Sequence, residues 1–255
     1  MKILVSAGGT RESIDTVRSI TNHSTGRLGS VIADTFAKNG ASVTYLCAEN
    51  AILPKSANIE IIRISDVESL QWAMERLFDA HKFDAVIHSM AVSDFTPFGT
   101  LALNDIVENV VSVVKEVHLL EQDELRDRVK AVILSACSLS AESKISSKDA
   151  NLMIMLKKTP KVIELIRKMQ PGTVLVGFKL LSNVAEAELL QVAKDLMVKN
   201  DCDFVLANDL KNINGDKHEA ILIDKNGKQY RAENKQGIAD TIYKAVTEAY
   251  GTTMC

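Results

Sequence analysis

The residues with the clearest chemical potential lie near the start of the chain, between an apolar run and an amphipathic helix. This polar segment reads SAGGTRESIDTVRSITNHSTGRLG and follows residues 3–5. Gly8 and Gly9 allow the backbone to approach a ligand closely, and Gly26 precedes a helix whose N-terminal N–H groups attract anions. Ordinary connections between a strand and a helix take about 2–6 residues. The length and polarity of this segment therefore predict a site that holds a small phosphate-bearing molecule.

The glycine spacing differs from the common nucleotide-binding motifs. A dinucleotide fingerprint needs G-x-G-x-x-G in a tight turn, whereas Gly8 and Gly9 are adjacent and the segment continues to Gly26. The sequence contains no G-x-x-x-x-G-K-[ST] P-loop and no G-x-S-x-G elbow for a serine nucleophile. A Rossmann-like NAD(P)-dependent oxidoreductase and a nucleotide-sensing regulator are the competing hypotheses.

Composition and charge limit the possible classes further. With 255 residues, the chain is long enough for one large α/β domain with a buried core. The net charge is −3 and the basic residues are dispersed, so we expect no nucleic acid as a partner. We expect a soluble, cytoplasmic protein without a membrane partner, because no long apolar run or signal peptide occurs. The four cysteines are isolated, which argues against disulfides and a zinc site.

Strand-like and helix-like segments alternate along the chain, which is typical of a parallel sheet covered by helices. Strands are predicted at 3–5, 43–47, 59–64, 85–88, 152–156, 174–178 and 204–207. Helices are predicted at 28–39, at 66–80 with Asp66 as the N-cap, at 161–168, at 183–199 and at 235–249. The fold class is therefore α/β, with a Rossmann-like, mostly parallel sheet and helices on both faces.

Two regions depart from this alternation. Residues 104–128 read as a charged helical excursion, which a possible strand at 131–134 and a serine-rich stretch at 135–147 follow. We therefore predict a single domain over 1–255 in which 99–150 forms an inserted flap. Near the C-terminus, 220–224 and 228–231 predict a hairpin, because Asn226-Gly227 suits a type I′ turn.

Five sequence segments, taken in order, carry a family resemblance. They are GGTRESIDTVRSITNHSTGRLG, MAVSDF, SKISSKDANLMIMLKKTPKVI, VGFKLL and KNDCDFVLANDL. Together they resemble the signature segments of phosphopantothenate cysteine ligase, also called phosphopantothenoylcysteine synthetase, of the stand-alone bacterial type. The resemblance extends from Met1 to the final helix.

The resemblance implies a two-step ligation in coenzyme A biosynthesis. The carboxylate of 4′-phosphopantothenate attacks the α-phosphorus of CTP, which gives an acyl-cytidylate and pyrophosphate, and the amine of cysteine then displaces CMP. ATP is the alternative nucleotide, because the KISS and AVSDF forms also resemble eukaryotic relatives. The family implies Mg²⁺, whose ligands stay open, and a homodimer with shared active sites. No flavin is expected, because Met1 lies two residues before the first strand and leaves no room for a decarboxylase domain.

The resemblance also implies roles for individual residues. Asn22 matches the catalytic asparagine, which is associated with conversion of the acyl-nucleotidylate to product. Lys144 matches a catalytic lysine in the flap that reaches the triphosphate. The implied nucleotide-binding residues are Asp94, Lys144, Pro160, Lys161, Val162, Ile163, Phe178 and Lys199. The implied phosphopantothenate-binding residues are Gly9, Arg18, Asn22, Ser24, Gly26 and Ala91, of which Arg18 could serve the partner subunit's site.

Several of these residues also have an ordinary structural explanation. Asn22 could turn the loop, Pro160 suits the first turn of a helix, and Lys199 is a cation at a helix C-terminus. The sequence also departs from the family in the implied nucleotide site. The flap reads Lys144-Ile145-Ser146-Ser147 where many bacterial enzymes have further lysines after the first. Asp195 stands where a second nucleotide-binding lysine is usual, and the adjacent Lys194 could substitute for it.

Overall fold

A computed structural model of the protein describes residues 1–116, 121–137 and 151–253. The strands are β1 (Lys2–Ala7), β2 (Arg11–Ser13), β3 (Ser19–Thr21), β4 (Ser42–Ala48), β5 (Ile59–Ile64), β6 (Ala85–His88), β7 (Phe95–Ala102), β8 (Leu152–Lys158), β9 (Val174–Leu181), β10 (Phe204–Asn214), β11 (Lys217–Asp224) and β12 (Gln229–Asn234). The helices are α1 (Arg27–Lys38), α2 (Val67–Ala80), α3 (Leu103–Glu116), α4 (Gln122–Ser135), α5 (Val162–Met169), α6 (Glu186–Asn200) and α7 (Lys235–Thr253).

The chain divides into two compact units. The first unit contains Met1–Thr10, Asn22–Val92 and Lys161–Cys255, and the second contains Arg11–Thr21 and Ser93–Pro160. The polar segment near the N-terminus therefore contributes to both units. The single domain with an inserted flap over 99–150 stays a prediction.

The first unit is built on an eight-stranded sheet in the order β12-β11-β10-β9-β6-β1-β4-β5. Strands β5, β4, β1, β6, β9 and β10 run parallel, whereas β11 and β12 add antiparallel at one edge. Numbered along the chain, the parallel strands have the order 3-2-1-4-5-6 of dinucleotide-binding folds. The prediction of a Rossmann-like, mostly parallel sheet is confirmed.

Helices cover both faces of this sheet. On β1, Ile3 and Val5 belong to the hydrophobic cluster that includes α1 and α7, whereas Leu4 belongs to the cluster with α2, α5 and α6. Phe36 of α1 meets Tyr243 of α7 edge to face, with the ring centroids 5.3 Å apart. Because both faces are buried, the central strands are nearly continuous apolar runs rather than alternating ones.

The predicted helix boundaries have clear physical causes. Asp66 caps α2, because its carboxylate accepts the backbone N–H of Ser69 at 2.8 Å while the Ser69 hydroxyl accepts the N–H of Asp66 at 3.0 Å. Helix α1 begins after Gly26, whose φ of 70° favours glycine, and it is followed by Gly40 with a φ of 83°.

Strands β11 and β12 confirm the C-terminal hairpin, but the predicted turn type is wrong. Gly227 has a φ of 79°, whereas Asn226 lacks the positive φ that a type I′ turn requires. The N–H of Gly227 donates to the carbonyl of Asp224 at 2.9 Å, and the Asp224 carboxylate accepts the N–H groups of Asn226 and Lys228. These hydrogen bonds stabilise a turn over Asp224–Gly227 that ends in a left-handed glycine.

The described part of the second unit contains two small antiparallel sheets and two helices. Strands β7 and β8 pair from Phe95 opposite Lys158 to Ala102 opposite Leu152, and β2 pairs with β3. The predicted strand at 152–156 is therefore confirmed, but its partner is β7 and not the main sheet. Strand β7 escaped prediction because Pro97 and Gly99 read as chain breakers, and a register shift between them accommodates both.

The helical part of the second unit confirms one prediction and corrects another. The excursion predicted over 104–128 is two helices, α3 and α4. The possible strand at 131–134 lies inside α4. A short apolar run fits the period of a helix or of a strand, and here it continues a run of good helix formers. The polar segment predicted as a loop contains the short strands β2 and β3. The remainder of the serine-rich stretch beyond residue 137 lies outside the described residues.

The described cysteines are free thiols. Cys47 and Cys202 are buried thiols, and burial raises the pKa of Cys202 to about 12. Cys137 is partly exposed, and Cys255 lies outside the described residues. Within the described ranges, no three His, Cys, Asp or Glu side chains are grouped to hold a metal ion. No described helix is long and apolar enough to cross a membrane.

Two buried histidines predict a loss of stability in mild acid. Burial lowers the pKa values of His88 and His218 to about 4, and the charge of Lys235 adds to the effect at His218. Between pH 6.5 and 4 the unfolded chain therefore binds protons that the folded protein does not, so the free energy of unfolding falls as the pH is lowered through this range. Each histidine contributes a slope of up to about 1.4 kcal/mol per pH unit.

Urea unfolding at pH 7, 5.5 and 4.5 measures this slope. The double variant His88→Asn/His218→Asn serves as the reference that lacks both groups. An equal pH dependence in the wild-type protein and this variant would contradict the prediction.

Candidate functional site

The carboxyl ends of β1 and β6 meet where the order of the parallel strands reverses. Ligands of open α/β sheets bind in the crevice at this position. The backbone pairing continues past both strands, because the N–H of Ala91 donates to Gly8 at 2.8 Å and the N–H of Thr10 donates to Ala91 at 3.2 Å. Gly9 and Ala91 also form a parallel bridge. Two residues of the implied phosphopantothenate site are therefore in direct contact.

Asn22 reaches the same point from a distant part of the sequence. Its side-chain Nδ2 donates a long hydrogen bond of 3.4 Å to the carbonyl of Ala91. A Cβ atom on residue 9 would lie 2.7 Å from the Asn22 carbonyl oxygen, so glycine at position 9 permits this approach. The N–H of Ser24 donates to the Asn22 carbonyl at 2.9 Å. The structure thus brings Gly9, Asn22, Ser24 and Ala91 together.

Close backbone packing joins this group to the start of α1. Gly8 has a φ of 90°, and a Cβ on Gly26 would lie 3.1 Å from the Gly8 nitrogen. The hydroxyl of Tyr45 lies 3.2 Å from the Gly26 carbonyl and 2.9 Å from that of Ile52. Burial raises the pKa of Tyr45, so the hydroxyl stays protonated and acts as a donor. The Tyr45 hydroxyl therefore stabilises the turn that precedes α1.

A buried polar pair lies at the carboxyl ends of β1 and β6. Ser6 Oγ and His88 Nδ1 are 2.8 Å apart, and both residues are buried. Burial lowers the pKa of His88 to about 4, so the ring is neutral at pH 7. Sequence reasoning missed this pair, although a polar residue at the end of two apolar strands was the available signal.

Arg18 lies in the second unit, in the turn between β2 and β3. Its guanidinium donates to the Asp15 carboxylate from Nη2 at 2.6 Å and from Nε at 3.0 Å. The same carboxylate accepts the backbone N–H groups of Val17 and Arg18 at 2.8 and 2.7 Å. The Arg18 side chain is 45% exposed, whereas that of Asp15 is fully buried. Asp15 therefore sets the conformation of the turn that carries Arg18, a role that sequence reasoning missed.

The residues implied for nucleotide binding are divided between the units. Asp94 and Pro160 are exposed residues of the second unit, where the Asp94 carbonyl accepts the N–H of Thr159 at 3.1 Å. Lys161 lies exposed in the first unit, directly before α5. Lys144 lies outside the described residues.

The apolar residues implied for the nucleotide pocket lie on two faces of the main sheet. Val162 is 2% exposed and belongs to the core cluster under α2, α5 and α6, against which Ile163 also packs. Phe178 is half-buried and packs on the opposite cluster, with α1 and α7. The structure therefore does not bring these three side chains to one face.

Helix α6 carries the lysines considered for nucleotide binding. Lys199 lies in its last turn, with Nζ 3.8 Å from Glu164 Oε1. Asp195, one turn earlier, accepts a hydrogen bond from Gln191 at 2.9 Å. Lys194 is rotated by about 100° from Asp195 around the helix, so it faces a different direction. Substitution of the missing lysine by Lys194 stays a prediction.

A further polar cluster lies at the carboxyl end of β10. The Asp209 carboxylate is nearly inaccessible and accepts the backbone N–H groups of Asn183, Val184 and Lys211 at 2.9 to 3.1 Å. Burial alone would raise the pKa of Asp209, but these donors outweigh it and lower the pKa to about 2. A cavity of about 390 Å³ adjoins this cluster and is also lined by Arg231. None of the described residues to which the resemblance gives a binding or catalytic role lines it.

Comparison with known proteins assigns the chain to a family. Residues 1–103 and 129–250 match DFP, the DNA/pantothenate metabolism flavoprotein C-terminal domain. The chain is 29% identical over 246 residues to the coenzyme A biosynthesis bifunctional protein CoaBC of Thermococcus kodakarensis, and 30% identical over 247 residues to that of Methanocaldococcus jannaschii. Each match covers 96% of this chain and 50% of the relative. The chain thus spans about half the length of these curated relatives.

Solved structures share the fold of this chain. The crystal structure of the DNA/pantothenate metabolism flavoprotein from Streptococcus pneumoniae is 36% identical, with a TM-score of 0.81 over 98% of this chain and 99% of that one. A Cab2 mutant in complex with phosphopantothenate-cysteine shares the fold, with 17% identity and a TM-score of 0.69 over 98% of this chain and 86% of that one. Because the family model matches most of its length, the chain belongs to the family of the DNA/pantothenate metabolism flavoprotein C-terminal domain.

Proposed function

We propose that this chain joins 4′-phosphopantothenate to L-cysteine, a step of coenzyme A biosynthesis, as a cytoplasmic enzyme. The observation that carries the proposal is the meeting of Gly9, Asn22, Ser24 and Ala91 at the reversal point of the parallel strands. The names of the curated relatives point to the same pathway. A protein of the same fold has been solved with phosphopantothenate-cysteine bound.

The proposed reaction has two steps because a carboxylate is a poor acceptor for an amine. A carboxylate oxygen of 4′-phosphopantothenate attacks the α-phosphorus of CTP, and the bond to pyrophosphate breaks. The cysteine nitrogen then attacks the acyl carbon, the bond to CMP breaks, and the amine loses a proton. Neither step is an oxidation or a reduction, so the reaction requires no flavin.

Mg²⁺ is the proposed companion of CTP. Bound to the triphosphate, it supplies positive charge that neutralises the phosphate oxygens. The described residues contain no grouped set of metal-binding side chains, which fits an ion held chiefly by the nucleotide. Lys144 is the proposed protein cation for the same triphosphate.

Asn22 is the proposed catalytic residue of the second step. An amide can donate to the oxyanion that develops on the acyl carbon and can accept a hydrogen bond from the cysteine amine. The hydrogen bond from Nδ2 to Ala91 supports this role, because it orients the amide at the crevice.

The proposed enzyme is a homodimer in which Arg18 of one protomer completes the site of its partner. The second unit exposes apolar side chains of the kind that protein interfaces cover. On α3 these are Val107, Val111 and Val114, which are 39 to 49% exposed. On β8 they are Met153, Ile154 and Leu156, which are 38 to 46% exposed. A two-stranded sheet is only marginally stable alone, so such a unit gains stability from a second copy.

Pyrophosphate release tests the activity. Purified protein with 4′-phosphopantothenate, cysteine, Mg²⁺ and CTP should release pyrophosphate, and omission of 4′-phosphopantothenate should abolish the signal. We expect kcat/KM with CTP to exceed that with ATP at least about tenfold, which corresponds to a preference of about 1.4 kcal/mol in the transition state. Hydride transfer with a nicotinamide, or nucleotide binding without turnover, would instead support one of the competing hypotheses.

Substitutions separate the two steps. Asn22→Ala should let the acyl-cytidylate accumulate and slow product formation by about 10²-fold or more, because an oxyanion donor is lost. Lys144→Ala should suppress formation of the acyl-cytidylate itself. Quenched reactions analysed by mass spectrometry measure both species, and Asn39→Ala at the end of α1 is the control. Wild-type rates in both variants would contradict the assigned roles.

Mixed dimers test the shared sites. Arg18→Ala and Asn22→Ala should each be inactive alone, whereas refolding them together should restore about a quarter of the wild-type activity. Half of the dimers are then mixed, and each has one intact site of two. A mixture with no more activity than the two variants measured separately would show that Arg18 serves its own protomer or neither.

A further inference from the structure

The Ser6–His88 pair lies in an environment that would suit apolar residues. Its side chains point to the face of the sheet that holds Leu4 and Val86, both of which are buried without measurable exposure. Polar groups in such surroundings are unfavourable unless they are hydrogen-bonded, and the 2.8 Å contact between Ser6 Oγ and His88 Nδ1 provides that bond. A hydrogen bond between two side chains therefore occupies a buried position at which apolar packing is usual.

The residue that follows β6 extends this contact. Both the N–H and the hydroxyl of Ser89 donate to the Ser6 carbonyl, at 3.1 and 2.6 Å. A Cβ on Gly29 of α1 would lie 2.8 Å from the Ser89 hydroxyl and 2.5 Å from the Cβ of Ala7, so glycine makes room there. Three hydrogen bonds thus fix residue 6 against residues 88 and 89.

These hydrogen bonds lie just before the pairing that holds Asn22. Gly8 accepts the N–H of Ala91 only two residues beyond Ser6, and the Ala91 carbonyl accepts hydrogen bonds from both Thr10 and Asn22. A longitudinal shift of β6 against β1 would move the Ala91 carbonyl and, with it, the Asn22 amide. A misplacement of about 1 Å at a reacting group can lower a rate about 10²-fold.

We propose that Ser6 and His88 are a positioning pair for the second step of the proposed ligation, because their hydrogen bond fixes the strand ends on which Asn22 is oriented. The inference rests on the proposed function. The pair itself does not contact the substrate. It explains a buried histidine that the two proposed chemical steps do not otherwise use.

If the pair contributed only to stability, a variant that stays as stable as the wild-type protein should keep the rates of both reaction steps. Replacing a buried polar pair by apolar residues is often neutral or stabilising, whereas removing one partner leaves the other unsatisfied. In the double variant Ser6→Ala/His88→Leu, both polar groups are removed. The double variant should therefore unfold at a temperature no lower than that of the wild-type protein.

The experiment compares both steps in single-turnover reactions with 4′-phosphopantothenate, CTP, Mg²⁺ and cysteine. The variants His88→Leu and Ser6→Ala/His88→Leu should form acyl-cytidylate within about threefold of the wild-type rate. Conversion to product should fall at least about tenfold, so the intermediate accumulates. His88→Asn retains an amide that can hydrogen-bond Ser6, and it should recover most of the second step. Thr44→Val removes another buried hydroxyl of this sheet, one bonded to Glu60, and should change neither step.

The outcomes separate the two proposals. If the wild-type protein forms no acyl-nucleotidylate with either CTP or ATP, the proposed function is wrong. If the wild-type protein turns over, three results would overturn the positioning pair: wild-type rates in His88→Leu, equal slowing of both steps, or failure of His88→Asn to recover the second step.

Discussion

The pairing of β1 with β6 is the interaction on which the rest of the site depends. These neighbours run parallel, and the chain crosses to opposite sides of the sheet from them, so their carboxyl ends mark the position at which open α/β sheets bind ligands. The pairing does not stop at Ala7 and His88 but continues through Gly8, Thr10 and Ala91. This continuation holds two loops in a fixed relation and provides the carbonyl that receives Asn22.

Close approach of backbone to backbone explains the unusual glycine spacing. In dinucleotide-binding folds, three glycines serve one tight turn. Here Gly8 and Gly9 border the crevice, and Gly26 closes the segment before α1. Residues Arg11–Thr21 between them belong to the second unit, and the chain re-enters the first unit at Asn22. One segment therefore supplies both the turn and an amide side chain. These three glycines therefore serve close backbone packing at separate points and not one tight turn.

The second unit is organised differently from the first. Its strands form two-stranded sheets, and its helix α4 has no buried residue. Apolar side chains of α3 and β8 are exposed, and the first unit exposes others, such as Trp72 and Val198, although it also has a large core enclosed between helices and the main sheet. Asp15 gives this unit one well-defined polar centre at the turn that carries Arg18.

The sequence by itself determined the alternation of strands and helices, the capping residue Asp66 and the parallel, two-sided sheet, because hydrophobic period and cap chemistry are properties of consecutive residues. It also indicated the polar segment from which Asn22 comes. Only the tertiary structure decided that β8 pairs with β7, that 131–134 is helical, and that Ser6 contacts His88. Asn22 and Ala91 are 69 positions apart, and their contact depends on strand order and register. Such long-range pairings are chosen by the packing of the whole sheet, which no local pattern encodes.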